Sequence, residues 1–126
     1  MAKILVIDDD DTIRTLLCRM LERSGHDVLV AANGTEASEL FRKNPLDLII
    51  TDLFMPDREG LEIIQELRKN HPQVKIIAIS GGGSIGGTSF LDVARLIGAS
   101  RTLEKPFGSQ TLLGTVDEVL GLGEEA

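Results

Sequence analysis

Lys3-Ile4-Leu5-Val6-Ile7-Asp8-Asp9 is the stretch on which the fold turns. Its apolar residues run without alternation, as in a strand covered on both faces of its sheet, and the run ends abruptly on two acids. Asp11 or Thr12 is then expected to cap a helix. In that helix Ile13, Leu16, Leu17, Met20 and Leu21 fall on one stripe at helical spacing, and Gly25 ends it.

Outward from this unit the same alternation returns. Val28 to Ala31 reads as a second strand, Asn33-Gly34 as a break, and Ala37, Leu40 and Phe41 as one face of a second helix, closed by Asn44-Pro45. Leu48-Ile49-Ile50 makes the third strand and leaves Asp52 at its carboxyl end. A turn with Met55-Pro56 and Gly60 leads to a helix around Leu61, Ile64 and Leu67, and the fourth strand, Ile76 to Ile79, runs into Ser80. Gly81-Gly82-Gly83-Ser84-Ile85-Gly86-Gly87 follows, the most flexible composition in the chain, before a helix carrying Phe90, Val93, Ala94 and Ile97 and stopped by Gly98. Leu103 lies in a short fifth strand ended by Lys105-Pro106, and Leu112, Leu113, Val116, Val119 and Leu120 define the last helix. Strands alternating with helices predict an α/β fold, a (βα)5 doubly wound, five-stranded parallel sheet.

A chain of 126 residues with 42% hydrophobic content suits one domain with one core. The expected organisation is a single domain over residues 1–126, with its core at about 3–120 and a tail at 121–126. The net charge of -7 argues against sequence-independent nucleic-acid binding, which needs a basic footprint. No apolar run approaches membrane-spanning length and the start lacks a signal-peptide core, so the cytoplasm is the expected compartment and neither nucleic acid nor membrane is an expected partner. Met1 and the acidic tail lead to the expectation of an intact product without an output domain. Cys18 is the only cysteine and reads as helix packing. His26 and His71 lack partners at ligand spacing, sit in turns, and are expected to face solvent.

Doubly wound sheets bind ligands beyond the carboxyl ends of their strands. The first strand delivers Asp8 and Asp9 there, the third Asp52, the fourth Ser80 and the fifth Lys105. Carboxylates gathered so closely repel one another unless a cation neutralises them, and an oxygen-only set with waters suits Mg²⁺ better than zinc. Lys105 supplies a further compensating charge. Asp10 and Asp11 read as turn and cap residues.

Together Ile7-Asp8-Asp9, Asp52-Leu53-Phe54-Met55-Pro56 with Gly60, Ser80, and Lys105-Pro106-Phe107 resemble the response-regulator receiver signature. The resemblance runs from Lys3 to about Leu120, and the joint spacing is far more specific than any single motif. It implies the flavodoxin-like receiver fold and a phosphoacceptor switch rather than an enzyme, at most catalysing its own phosphorylation and dephosphorylation. Asp52 would take phosphate from a histidine kinase or histidine phosphotransfer protein, and the signal would pass to a downstream protein target. Asp9 and Asp52 would ligate Mg²⁺ directly, Asp8 mainly through metal-bound water, and the backbone carbonyl of Phe54 would complete the protein ligands. Ser80 and Lys105 would contact the phosphoryl oxygens, and Pro106 resembles the family's cis-proline.

The chain departs from the family at Thr102, three positions before the lysine, where an aromatic residue or His usually changes rotamer. Thr102 cannot sweep an aromatic surface between exposed and buried states, which implies a different readout. Ordering of the segment from Gly81 to Gly87 by phosphate contacts is one such device, and it predicts slower amide exchange there on phosphorylation. Two other functions are weighed. Asp8-Asp9-Asp10-Asp11-Thr12 after a hydrophobic run also fits a small haloacid-dehalogenase-like phosphohydrolase with Asp8 as nucleophile, but the acids after the lysine, Asp117 and Glu118, lie on the final helix, and there is no room for a cap. Flavin binding has only the fold class in its favour, because the chain has no Trp or Tyr to flank the ring.

Overall fold

β1 (Lys3–Ile7) pairs in parallel on both sides, with β2 (Asp27–Ala31) and with β3 (Leu48–Asp52), and this double pairing makes it an interior strand. The computed structural model describes residues 2–53, 60–81, 84–85 and 88–121. β4 (Lys75–Ser80) continues the sheet beside β3, and the last strand, β7 (Arg101–Glu104), closes its far edge, giving the order β2-β1-β3-β4-β7. The expected five-stranded parallel sheet is therefore observed. Between β4 and β7 lies an unforeseen feature: β5 (Ser84–Ile85) and β6 (Thr88–Ser89) pair antiparallel as a short ribbon within the glycine-rich stretch. Backbone pairing outweighed the low strand propensity of that composition, which periodicity cannot register. The loop-ordering expectation falls partly on residues 82–83 and 86–87, outside the described residues.

Helices α1 (Asp11–Arg23), α2 (Gly34–Lys43), α3 (Gly60–Asn70), α4 (Phe90–Ile97) and α5 (Ser109–Leu120) fill the connections. Alternate residues of each strand serve opposite faces. Leu5, Ile7, Ile49, Ile76 and Ala78 pack with Ala37, Phe41, Ile63, Ile64, Leu67 and Ala94 from α2, α3 and α4. Ile4, Val6, Leu48, Ile50, Ile77 and Ile79 pack with Leu17, Leu21, Leu112 and Val116 from α1 and α5. Both faces are covered, so each fully buried Ile or Leu contributes about 2 kcal/mol of apolar burial, and this is why apolar residues dominate β1, β3 and β4 up to their carboxyl ends.

The caps correct the sequence reading in detail. Asp10, rather than Asp11 or Thr12, caps α1, its Oδ1 accepting from the amides of Thr12 and Ile13 at 2.9 and 3.2 Å. Asn33 caps α2 through the amide of Glu36, whose carboxylate accepts in turn from the amide of Ala32. This reciprocal pattern tolerates the glycine at the first helical position. Leu16, placed on the buried stripe of α1, is 48% exposed, because the sheet covers only the strip through Leu17 and Leu21.

Neither histidine faces bulk solvent as expected. His26 is buried, and its Nδ1 accepts the amide of Ala2 at 3.2 Å. His71 is half-buried, with its ring edge-on to Phe41 at a centroid distance of 5.4 Å. Both partners are distant in sequence, so local turn chemistry could not reveal them.

Candidate metal centre

Strand register builds this site before any side chain is considered. Ile7 is the partner of Thr51, so Asp8 emerges beside Asp52 one step past the last pair. Asp52 in turn partners Ile79, and Ser80 partners Glu104, so Ser80 and Lys105 emerge next along the same rim. The amide of Lys105 donates to the carbonyl of Ser80 at 2.8 Å, which extends the β4–β7 ladder by one rung and aims the lysine back across the rim.

Asp8, Asp9 and Asp52 each bring a carboxylate oxygen to within 4.8 Å of the others. Asp8 and Asp52 are buried, whereas Asp9 is exposed. Lys105 Nζ stands 3.2 Å from Asp52 Oδ2 and 3.9 Å from Asp8 Oδ2. One oxygen of Asp8 is satisfied by the amide of Asp10 at 2.9 Å, but among the described residues its buried Oδ2 has no hydrogen-bond partner. Burial pushes the Asp8 carboxyl up to about 6; the Asp10 amide opposes this, Asp52 adds to it, Lys105 opposes it and Asp9 adds to it.

Hard anionic oxygens, one of them buried and orphaned, fit a small hard divalent cation better than a soft metal, and among the described residues no Cys or His joins the cluster. Chemically the arrangement offers a rim carboxylate flanked by an ammonium, with two further carboxylates to hold a cation beside it. Ser80 is fully buried at the end of β4. Phe54, expected to contribute its carbonyl, and Met55 and Pro56 lie outside the described residues. The Lys105–Pro106 bond is cis, as the resemblance implied. Thr102 is half-buried on β7, and its Oγ1 accepts from Arg95 Nη2 on α4 at 3.3 Å.

Sequence reading missed one residue. Arg14 Nη1 donates to the backbone carbonyl of Asp8 at 2.8 Å, its Nη2 pairs with the Asp11 carboxylate, and its side chain is only 17% exposed. The Asp11–Arg14 spacing was visible as a helical pair, but a bond to a strand-end carbonyl has no sequence signature. A separate groove of about 880 Å³ lies at the opposite rim, lined by Asp47, Val74 and Lys75 at the strand starts among others, remote from these acids.

The response regulator receiver domain family model matches residues 4–117. A chemotaxis protein CheY homolog of Campylobacter jejuni is 37% identical over 125 residues, covering 96% of this chain and 94% of that protein. Among solved structures, a response regulator receiver domain protein from Clostridium thermocellum superposes with a TM-score of 0.87 at 34% identity, covering 96% of this chain and 95% of the other. The response regulator TrrA of Thermotoga maritima, solved in complex with Mg²⁺-BeF, gives a TM-score of 0.84 at 33% identity over 95% of this chain and all of the other. These likenesses give no support to the haloacid-dehalogenase alternative.

Proposed function

The chain belongs to the response-regulator receiver family, a phosphoacceptor class of two-component signalling, and on that premise we propose that Asp52 is the residue that receives the phosphoryl group. The observation that carries this reading is the ammonium of Lys105 at 3.2 Å from Asp52, beside the buried and unsatisfied oxygen of Asp8. A carboxylate oxygen of Asp52 attacks phosphorus, the bond from phosphorus to the donor's imidazole nitrogen breaks, and the imidazole keeps the electron pair and takes up a proton. Phosphoryl transfer needs in-line placement and neutralised equatorial oxygens more than covalent assistance. Lys105 and the hydroxyl of Ser80 supply contacts to those oxygens.

Asp8, Asp9, Asp52 and the carbonyl of Phe54 would hold Mg²⁺, with Asp8 acting through water; a divalent ion there neutralises phosphoryl charge. Receiver domains are phosphorylated by histidine kinases or phosphotransfer proteins. A phosphohistidine donor formed from ATP puts the exchange in the cytoplasm, and the phosphorylated form signals by binding a protein, either as an adaptor or as a phosphate shuttle. Among the described residues no helix is long and apolar enough to cross a membrane.

The test is Mg²⁺-dependent labelling with acetyl phosphate, followed by mass-spectrometric mapping of the modified residue. Phosphate should appear on Asp52 and vanish in Asp52→Asn. Phosphate on Asp8, retained in Asp52→Asn, would overturn the assignment.

A further inference from the structure

We infer that Arg14 is a positioning residue for the metal centre: by gripping the peptide between Asp8 and Asp9 it sets the mutual orientation of the two acids. The inference rests on the reading of Asp8, Asp9 and Asp52 as the Mg²⁺ site. The grip is specific in its target, because the carbonyl that accepts from Arg14 Nη1 at 2.8 Å belongs to the peptide linking Asp8 to Asp9. Fixing that peptide fixes the direction in which each side chain leaves the backbone.

Other contacts hold the flanks of this loop but not its centre. The amide of Asp8 donates to the carbonyl of Ala31 at 3.2 Å, and the amide of Asp10 donates to Asp8 Oδ1 at 2.9 Å. Asp10 Oδ1 then anchors the loop to the first turn of α1. Arg14 ties the Asp8 carbonyl to that same turn, and its second nitrogen pairs with Asp11, so the guanidinium is held from both sides. A planar fork suits this double duty, and a flexible ammonium does not. Its side chain is largely covered, although a guanidinium serving only as surface charge would stay in water.

Electrostatics alone gives the opposite expectation. A cation beside a divalent-metal site repels the metal, so deleting Arg14 for its charge alone tightens Mg²⁺ binding. Deleting it as an orienting partner weakens binding by about tenfold, the lower range for groups that orient metal ligands. The sign of the change separates the two.

The experiment titrates the ¹⁵N-labelled chain with MgCl₂ and follows backbone amide shifts, alongside amide exchange in the metal-free protein. In the wild type the amides near Asp8, Asp9 and Asp52 should shift. Arg14→Met should speed exchange at Asp9 and Asp10 and raise the Mg²⁺ Kd by about tenfold, the second an effect that a merely structural arginine leaves untouched. Arg14→Lys keeps the charge without the fork, and it decides the matter if the methionine variant does not fold: a weaker Kd supports the grip, and an unchanged Kd overturns it. Equal or tighter binding by Arg14→Met also overturns it. No Mg²⁺-induced shift near these acids in the wild type would overturn the metal-site reading, and this inference with it.

Discussion

Lys105 Nζ reaches Asp52 Oδ2 at 3.2 Å across the end of β4, the strand that separates β3 from β7. In the metal-free protein this ammonium stands beside both buried acids, because it also lies 3.9 Å from Asp8. Lys105→Met should therefore lower stability at pH 7 without Mg²⁺ by about 1 to 2 kcal/mol, below the figure for a fully buried pair because the lysine is one-third exposed. The same substitution removes a competitor for the carboxylates, so Mg²⁺ should bind more tightly while labelling of Asp52 falls. Urea unfolding and Mg²⁺ titration check both limbs; weaker Mg²⁺ binding would contradict the competition.

Asp8 gives a pH signature with a definite sign. Burial raises its carboxyl from 3.8 to about 6, so the folded state holds a proton that the unfolded chain has lost across that interval. Stability of the metal-free protein should then fall as pH rises from about 4 to about 6, and stay low above it, by roughly 2 to 3 kcal/mol. Asp8→Asn keeps an oxygen for the Asp10 amide and replaces the orphaned Oδ2 with a neutral group. It should stabilise the metal-free protein at pH 7 and flatten this slope while impairing Mg²⁺ binding. An unaltered slope in urea titrations would rule out Asp8 as its source.

Strand ends were the most legible part of the site. Apolar runs leading to Asp8, Asp52 and Ser80 have one reading in a doubly wound sheet, and parallel register then brings those ends together. What stayed hidden was the chemistry that crosses between segments without a periodic signal. His26 found the amide of Ala2, 24 positions away, and Arg14 found a carbonyl rather than a side chain. Leu16 shows the converse limit: helical spacing identifies a stripe, but the width that the sheet covers is set by packing.

The hydroxyl of Thr102 on β7 is tied to α4 through Arg95. Thr102→Val preserves shape and removes the acceptor for Arg95. The bond is partly exposed, so its loss should cost under about 1 kcal/mol, and labelling of Asp52 should be unchanged. Amide exchange in α4 should quicken, because one of the tethers between α4 and β7 is gone. A large drop in labelling would instead make Thr102 part of the phosphoryl site.

Gly98 links α4 to β7 with φ at +131°, a conformation that side-chain-bearing residues rarely adopt. A Cβ there would also overlap Cγ and Cδ of Arg68, whose guanidinium donates to the carbonyls of Pro72 and Val74. Arg68 can yield only by releasing the loop that leads into β4, so backbone strain and lost bonds act together. Gly98→Ala should therefore destabilise the chain by about 1 to 3 kcal/mol. Arg68→Ala in the same background frees the space but not the backbone angle, so it should relieve only the steric part. Full recovery of stability in the double variant would assign the whole effect to the clash, and no recovery would assign it to φ alone; urea denaturation of the four proteins in a mutant cycle separates these outcomes.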